Sequence, residues 1–405
     1  MPHGRDPGRR DQRLAALRRE PFDHGRRARP AVRLRSMSET HARRRHDLRT
    51  GLRERELDAM LVTDLLNVRY LTGFTGSNAA LVVHAADEPG AETRTVFCTD
   101  GRYLTQAAAE VPDLEQVIER ASALALAERI AAAAGAHRRT GFESHHVTVD
   151  GRDELADAAG AAELVRAPGL VERLRLIKDE AEVEALRMAC AAADRALADL
   201  IEHGGLRPGR TELEVARELD GRMLDHGAAG PSFDTIVAAG ANSAVPHHRP
   251  TDAVLAPGDF VKIDFGALVD GYHSDMTRTL VLGRPAEWQQ EIYQLVLAAQ
   301  TAGRDAVAVD ADVREVDTAA RAVIEEAGYG DRFLHGLGHG VGLEIHEAPA
   351  LSQRGDGRIA AGMAVTVEPG VYLPERGGVR IEDTLVVRPG TPELLTLTTK
   401  ELIAV

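Results

Sequence analysis

The chain has 405 residues, a length at which two domains are expected rather than one compact core. Its hydrophobic fraction of 44% is ordinary for a globular protein, and no run approaches the roughly 20 apolar residues of a membrane span, which excludes a transmembrane protein. The two cysteines, Cys98 and Cys190, are too few for a disulfide framework, so we expect a reducing cytoplasm.

The net charge of -14 is unevenly distributed along the chain. Residues 1–36 hold 11 arginines and 4 acidic residues, a net of +7, so the remaining 369 residues carry -21, the difference between -14 and +7. An acidic body argues against nucleic acid as a partner. Residues 1–36 are predicted to be a disordered Arg-rich leader, because their paired arginines are not followed by the apolar run of an export signal.

Regular patterns begin at Met37. A polar helix is predicted to about Arg55, and alternating strands and helices follow to about residue 165, which predicts an α/β domain over 37–165. The predicted strands are Ala59–Val62, a strand and glycine turn within 67–78, Ala79–Val83, Val96-Phe97 and Gly141-Phe142, with a helix over Ala121–Ala134.

A second domain is predicted over 173–405, after a linker at 166–172 that contains the hinge signal Pro168-Gly169. Its first helix has a clear start, because Asp179 can cap it and Glu182 can reach back to the capping amide. Apolar residues then recur at steps of three and four. Cys190 lies on this apolar face and is interpreted as a core residue rather than a nucleophile.

Two aspartates flank a hairpin signal in this domain. Asp270-Gly271 is a strong turn dipeptide, and folding the chain there brings Asp264 and Asp275 nearly opposite each other on paired strands. Facing carboxylates repel each other unless a cation lies between them. Taken alone, this pair fits two solvated surface aspartates equally well.

A second hairpin repeats the pattern. The turn at 375–378 places Glu368 and Glu382 almost across from each other, among β-branched residues that indicate burial. A buried carboxylate costs several kcal/mol unless it is paired or bound to metal. Two such pairs therefore favour a shared cation site.

Between the hairpins, residues 335–349 contain four glycines within seven positions and the histidines His335, His339 and His346. Glycines permit close backbone approach, and histidines supply a nitrogen ligand and acid or base groups. Four carboxylates with one imidazole suit two hard, Mn-like divalent ions.

Residues 173–405 resemble the pita-bread metallopeptidases, the family of methionine aminopeptidase, prolidase and aminopeptidase P. The ordered set Asp264, Asp275, His339, Glu368 and Glu382 matches that family's five metal ligands in type and order. The segments 70–74 and 99–103 resemble the N-terminal domain of prolidase, aminopeptidase P and creatinase. The resemblance implies a creatinase-like α/β domain with a mixed sheet, followed by an α+β pita-bread catalytic domain.

The resemblance also implies roles for single residues. His247 would donate a proton or stabilise the tetrahedral intermediate, with His248 as its neighbour, and His346 would be the second catalytic histidine. His335 would line a proline pocket, and Arg380 would be an active-site arginine. Glu368 would be both ligand and proton shuttle.

These features predict an Xaa-Pro aminopeptidase that uses two divalent ions, Mn²⁺ first and Co²⁺, Zn²⁺ or Fe²⁺ as alternatives, and a metal-bridging hydroxide. Its expected substrates are peptides with proline at the second position, with neither nucleic acid nor membrane as partner, and a homodimer is expected. The alternatives are an Xaa-Pro dipeptidase and a non-catalytic pita-bread binding module. Creatinase is disfavoured because all five ligands are present, and methionine aminopeptidase because it lacks the N-terminal domain.

Overall fold

The computed structural model describes residues 37–86, 88, 90–133 and 135–405. The predicted leader lies outside the described residues. The α-helices are α1 (Met37–Glu54), α2 (Leu65–Thr72), α3 (Leu104–Glu110), α4 (Ser122–Ala132), α5 (Val149–Ala159), α6 (Leu170–Arg175), α7 (Glu180–Glu202), α8 (Glu212–Asp225), α9 (Glu287–Ala306) and α10 (Val313–Glu326). The β-strands are β1 (Ala59–Val62), β2 (Ala79–His84), β3 (Val96–Thr99), β4 (Glu115–Ile118), β5 (Arg139–Phe142), β6 (Glu163–Arg166), β7 (Gly230–Pro231), β8 (Ile236–Ala239), β9 (Phe260–Phe265), β10 (Ala267–Val269), β11 (Tyr272–His273), β12 (Met276–Val281), β13 (Gly338–Gly340), β14 (Glu347–Leu351), β15 (Ala364–Val367), β16 (Gly370–Leu373), β17 (Gly377–Arg380), β18 (Asp383–Val386) and β19 (Glu393–Leu394).

The N-terminal part is built on one six-stranded sheet in the order β4-β3-β2-β1-β5-β6. Strands β1, β2 and β3 pair antiparallel, whereas the outer pairs β3-β4, β1-β5 and β5-β6 are parallel. Helices α4 and α5 cover one face and α1 covers the other. The expected α/β fold with a mixed sheet is confirmed.

The predicted strand within residues 67–78 is wrong, because the chain forms helix α2 there. Asp64 caps the helix by accepting from the Leu66 amide, and Gly73 ends it in the left-handed conformation at φ 83°. The β-branched and aromatic residues that suggested a strand instead form the buried face of a short helix. Local capping thus outweighed side-chain propensity.

The second part contains two helix pairs packed on antiparallel strands. Helices α7 and α8 share a core with β8, β9, β10 and β12, and helices α9 and α10 share one with β15 to β18. Asp179 caps α7 and Glu182 accepts from the Asp179 amide, as predicted. Cys190 is fully buried on this helix, so the core assignment is confirmed. This is the expected α+β domain.

Among the helices that the structure describes, none is long and apolar enough to cross a bilayer.

The two parts are joined by apolar and charged contacts. One apolar cluster runs from α1 and the N-terminal sheet through α6 to α7 and the strands beyond it. Beside it, the buried Arg175 donates to Asn67 at 3.0 Å, to Glu344 at 2.6 Å and to Glu347 at 2.6 Å. Lys178 also donates to Glu347, at 2.8 Å. Helix α6, which occupies part of the predicted linker, therefore ties helix α2 of the N-terminal part to the loop at 344–347.

We predict that Arg175→Met destabilises the protein by about 3 kcal/mol, because the substitution leaves the buried Glu347 with one cation fewer and Asn67 without a donor. The matched control is Arg187→Met, whose 39%-exposed side chain pairs with Glu393 at the surface. That control should change stability by less than about 1 kcal/mol. Urea unfolding curves of both variants, followed by circular dichroism, measure the difference. Equal losses would contradict a special role for Arg175.

Candidate metal centre

Asp264 and Asp275 come together at the ends of β9 and β12. The register pairs Asp264 with Thr277, so Asp275 lies diagonally from Asp264 on the same face. Asp275 is thus offset from the position opposite Asp264 by two residues, which corrects the expectation that the two aspartates lie nearly opposite each other. The Asp270-Gly271 turn forms as predicted, with φ 49° and 76°, the signs of a type I′ turn.

The offset of Asp275 follows from the two-residue turn, which keeps one register from Val269 opposite Tyr272 to Asp264 opposite Thr277, with Gly266 between the two paired stretches. Here the chain passes from β9 to β10, and a Cβ on Gly266 would lie 1.8 Å from the carbonyl oxygen of Ser274. Only glycine allows this approach. The Ser274 hydroxyl accepts from the Ala267 amide at 2.8 Å, which gives this serine a structural role.

Glu368 and Glu382 face each other at a gap between two ladders. β15 pairs with β18 so that Val367 lies opposite Asp383, and β16 pairs with β17 so that Gly370 lies opposite Arg380. Both ladders have the same register, which places Glu368 across from Glu382, as predicted. At the gap the Glu368 and Glu382 amides bond elsewhere, to the carbonyls of Leu337 and Thr277.

His339 joins the four carboxylates from β13. Its Nδ1 lies 2.9 Å from the Gly340 carbonyl, which can only accept, so this nitrogen carries the proton. The other ring nitrogen, Nε2, points at the acids, 3.5 Å from Asp275 Oδ2 and 3.4 Å from Glu368 Oε1. A histidine oriented in this way by a carbonyl is prepared to bind a metal.

The donor set fits divalent ions. Ligand atoms of Asp275, His339 and Glu382 lie within 4.8 Å of one another. Oδ1 of Asp264 and Oε1 of Glu382 are buried and accept no hydrogen bond from the described residues. Buried polar atoms are almost always satisfied, so these two oxygens are positioned for a cation.

The electrostatics of the centre show the same need for positive charge. Burial, together with the neighbouring acids, raises the pKa of Asp275 to about 6 and of Glu368 to about 7, and it raises the pKa of Glu382 well above its usual range. Burial alone would lower the pKa of His339, but Asp275 and Glu368 raise it to about 9. In the absence of a bound cation, protons would therefore compensate the clustered acids.

Arg380 is buried behind the carboxylates, and protein groups occupy its guanidinium. Nη2 donates to Asp264 Oδ2 at 2.5 Å, and Nε donates to the Thr277 hydroxyl at 3.0 Å. Nη1 donates to the Tyr372 hydroxyl at 2.8 Å and to the Pro246 carbonyl at 3.2 Å. Arg380 thus holds one acid and one wall of the site in place.

A cavity of about 270 Å³ opens beside the carboxylates. Its lining contains five of the residues singled out from the sequence, together with small residues within or beside β13 and β14: His247, His335, Gly336, Gly338, His339, Ala350, Ser352, Glu368 and Arg380.

His335 is a neutral wall of this cavity. Burial and the nearby Arg380 lower its pKa to about 3. Nδ1 donates to the Gly336 carbonyl at 2.8 Å, and Nε2 accepts from the Tyr372 hydroxyl at 2.8 Å. Both ring nitrogens are therefore occupied, and His335 presents a ring face rather than a proton donor.

His247 and His346 are the two exposed histidines of the site. Neither ring makes a hydrogen bond to the described residues, so both are available to a substrate. The ring of His346 packs edge-on against His339 with centroids 4.5 Å apart. Burial and the neighbouring His339 lower the pKa of His346.

Sequence reasoning missed three buried polar residues around the site. Lys262 lies on the same face of β9 as Asp264, a placement that strand alternation could have indicated. Tyr372 links Arg380 to His335. Glu212, at the start of α8, bonds to the segment that carries His247. In the sequence, nothing marks this residue except its position directly after the helix cap Thr211.

Comparisons with known proteins agree with this architecture. The profile of Metallopeptidase family M24 matches residues 184–389, and that of the Creatinase/Prolidase N-terminal domain matches residues 44–177. An Xaa-Pro dipeptidase from Pyrococcus furiosus is 43% identical over 251 residues, 62% of this chain and 72% of that relative. The structure of an Xaa-Pro dipeptidase from Bacillus anthracis has a TM-score of 0.84 and 39% identity, covering 90% of this chain and 100% of that one. The structure of an X-Pro aminopeptidase from Thermotoga maritima has a TM-score of 0.80 and 32% identity, covering 89% and 99%.

We predict that Glu382→Gln removes metal binding, because the amide supplies neither the charge nor the second oxygen that the centre requires. Purified protein dialysed against Mn²⁺ should hold less metal than the wild type by mass spectrometry, and peptidase activity should be lost with it. Asp305→Asn, a substitution of a 66%-exposed acid, is the control and should change neither quantity. Unchanged metal content in Glu382→Gln would contradict the assignment.

The raised carboxyl pKa values also predict a pH dependence. Asp275 and Glu368 bind protons more tightly in the native state than in the unfolded chain, so their contribution to metal-free stability is present at low pH and is lost as pH rises toward about 7. Mn²⁺ must displace these protons, so it binds better at higher pH. The melting temperature with Mn²⁺ minus that with chelator should be larger at about pH 7.5 than at about pH 5.5. Glu382→Gln should flatten this difference, and a pH-independent difference in the wild type would contradict the argument.

Proposed function

The chain belongs to metallopeptidase family M24, and from this premise we propose that it is a two-metal peptidase that hydrolyses the first peptide bond of substrates with proline in second position. The observation that carries the proposal is the buried set of four carboxylates and one histidine, which adjoins a cavity lined by His247, His335 and Arg380. A non-catalytic binding module would have no need for this arrangement of paired acids and free histidines.

Two divalent ions would be held by Asp264, Asp275, His339, Glu368 and Glu382. We propose Mn²⁺, because hard oxygen ligands dominate the set, although Co²⁺, Zn²⁺ and Fe²⁺ also bind such sites. Bound there, the ions would lower the pKa of an attacking water and polarise the scissile carbonyl.

The chain's own residues would complete the reaction. Glu368 borders the cavity, so its carboxylate can accept the proton of the attacking water. His247 and His346 have free ring nitrogens and can donate hydrogen bonds to the developing oxyanion and a proton to the leaving nitrogen. His335 and Tyr372 give the cavity a fixed shape.

Proline is a suitable second residue for such a cavity. The bond before proline is a tertiary amide without an N–H, so recognition has to rely on the shape of the ring. The wall at His335 is neutral and rigid because both of its nitrogens are occupied. A rigid ring in a preformed pocket loses little conformational entropy on binding.

Two substrate classes are candidates. Sequence reasoning favoured an aminopeptidase that accepts longer peptides, and the similarity to an X-Pro aminopeptidase supports that reading. The relatives from Pyrococcus furiosus and Bacillus anthracis, which have higher identity, are named Xaa-Pro dipeptidases, and on that similarity we propose dipeptides as the first candidate substrate. Turnover of Leu-Pro compared with Leu-Pro-Ala, measured with Mn²⁺, separates the two: faster cleavage of the tripeptide would favour the aminopeptidase.

We predict that Leu-Pro is cleaved at least tenfold faster than Leu-Ala by kcat/KM, which corresponds to about 1.4 kcal/mol of transition-state discrimination. Acetylation of the substrate amino group should abolish cleavage, because the free amine is expected to bind beside the acidic centre. Efficient release of methionine from Met-Ala-Ser without a preference for proline would refute the prolyl specificity and leave the metallopeptidase chemistry intact.

A further inference from the structure

The segment that carries His247 has little regular structure of its own. It leaves β8 at Ala239, forms a short 3-10 turn at Gly240–Ala244, and continues without helix or strand past Thr251. Neither a helical nor a strand hydrogen-bond pattern fixes His247. Its position must therefore come from contacts with neighbouring elements.

Glu212 supplies most of these contacts from the first turn of α8. Its side chain is completely buried, and its two oxygens accept five hydrogen bonds from four residues of the segment. The donors to Oε1 are the Ala239 amide at 2.8 Å and the Asn242 side chain at 2.9 Å; those to Oε2 are His248 Nε2 at 2.8 Å, the Thr251 amide at 3.0 Å and the Thr251 hydroxyl at 2.8 Å.

These donors lie on both sides of His247 along the chain. Burial raises the pKa of Glu212, but the hydrogen bonds from Ala239, Asn242 and the others outweigh it and lower the pKa overall, so the carboxylate is ionised. An ionised acceptor makes stronger hydrogen bonds than a neutral one. Glu212 therefore fixes the segment at 239 and 242 before His247 and at 248 and 251 after it.

Two basic side chains hold the same segment from the other side. The buried Lys262 donates to the carbonyls of Val245 at 2.5 Å and Pro246 at 3.1 Å, and Arg380 donates to the Pro246 carbonyl at 3.2 Å. The backbone next to His247 is thus held between the Glu212 carboxylate and the two basic side chains. The His247 ring itself makes no hydrogen bond to the described residues.

We propose that Glu212 is a positioning residue for catalysis, which holds His247 at the cavity through the segment 239–251. The inference rests on the proposed role of His247 in peptide hydrolysis. Its physical basis is that a displacement of about 1 Å in a catalytic group can lower the rate by about 10²-fold. None of the hydrogen bonds to Glu212 among the described residues comes from a proposed metal ligand, so its effect should be separate from metal binding.

The test compares Glu212→Gln with Glu214→Gln. A glutamine at 212 has the same shape, but whichever way its amide turns, its NH₂ group faces a backbone N–H, of Ala239 or of Thr251. Glu214 lies on the same helix, and its carboxylate accepts from the Thr211 amide, a bond that glutamine can keep. With Mn²⁺ and Leu-Pro, Glu212→Gln should lower kcat at least tenfold while metal content and KM stay within about twofold of the wild type. Glu214→Gln should match the wild type.

A double-mutant cycle with His247→Ala shows whether Glu212 acts through His247. His247→Ala should lower kcat by about 10²-fold or more, and adding Glu212→Gln should then lower it by no more than about twofold. A full additional loss in the double variant, loss of metal, or an unchanged kcat in Glu212→Gln would overturn the inference. Wild-type kcat in His247→Ala would overturn the proposed role of His247, and the inference with it.

If Glu212→Gln does not fold, Thr251→Val provides the same test in a milder form. Valine keeps the shape of threonine and the amide donor to Glu212 but removes the hydroxyl donor. The expected result is a severalfold loss of kcat that disappears in the His247→Ala background. A loss of equal size in both backgrounds, or no loss in either, would overturn the inference.

Discussion

Four carboxylates and one imidazole share a buried space, and the cost of placing that much negative charge away from water is the constraint on which the site depends. Repulsion and burial raise the pKa values of Asp275, Glu368 and Glu382, and two buried carboxylate oxygens have no protein donor among the described residues. Divalent cations would relieve both conditions. The fold therefore has to hold like charges together by other forces until a cation binds.

The antiparallel ladders provide these forces. Asp264 and Asp275 lie at the ends of β9 and β12, and the acids Glu368 and Glu382 lie where two ladders of one register meet. Strand pairing and apolar packing of the helices on both sides offset the repulsion between these carboxylates. Around them, Arg380 bonds to Asp264 and to Tyr372, so one buried cation stabilises both the acid cluster and the cavity wall.

Buried ionisable side chains also hold the segments that carry the two free histidines. The loop with His346 is tied through Glu347 to Arg175 and Lys178, and through Arg175 to Asn67 on α2. The segment with His247 is held by Glu212 on one side and by Lys262 on the other. These histidines need free rings to act on a substrate, so their placement has to come from the backbone around them rather than from bonds to the rings themselves.

The sequence alone was sufficient for the two-part architecture, the start of α7, the Asp270-Gly271 turn and the facing of Glu368 and Glu382, because capping residues, turn dipeptides and strand periodicity act over a few neighbouring residues. It was misleading where local signals compete: residues 67–72 look like a strand but form a helix, since Asp64 and Gly73 cap that stretch. The occupied nitrogens of His335 became visible only in three dimensions, as did the contacts of Arg380, Lys262 and Glu212 with the His247 segment. Each of these depends on which distant groups meet in the folded chain, and tertiary packing alone decides that.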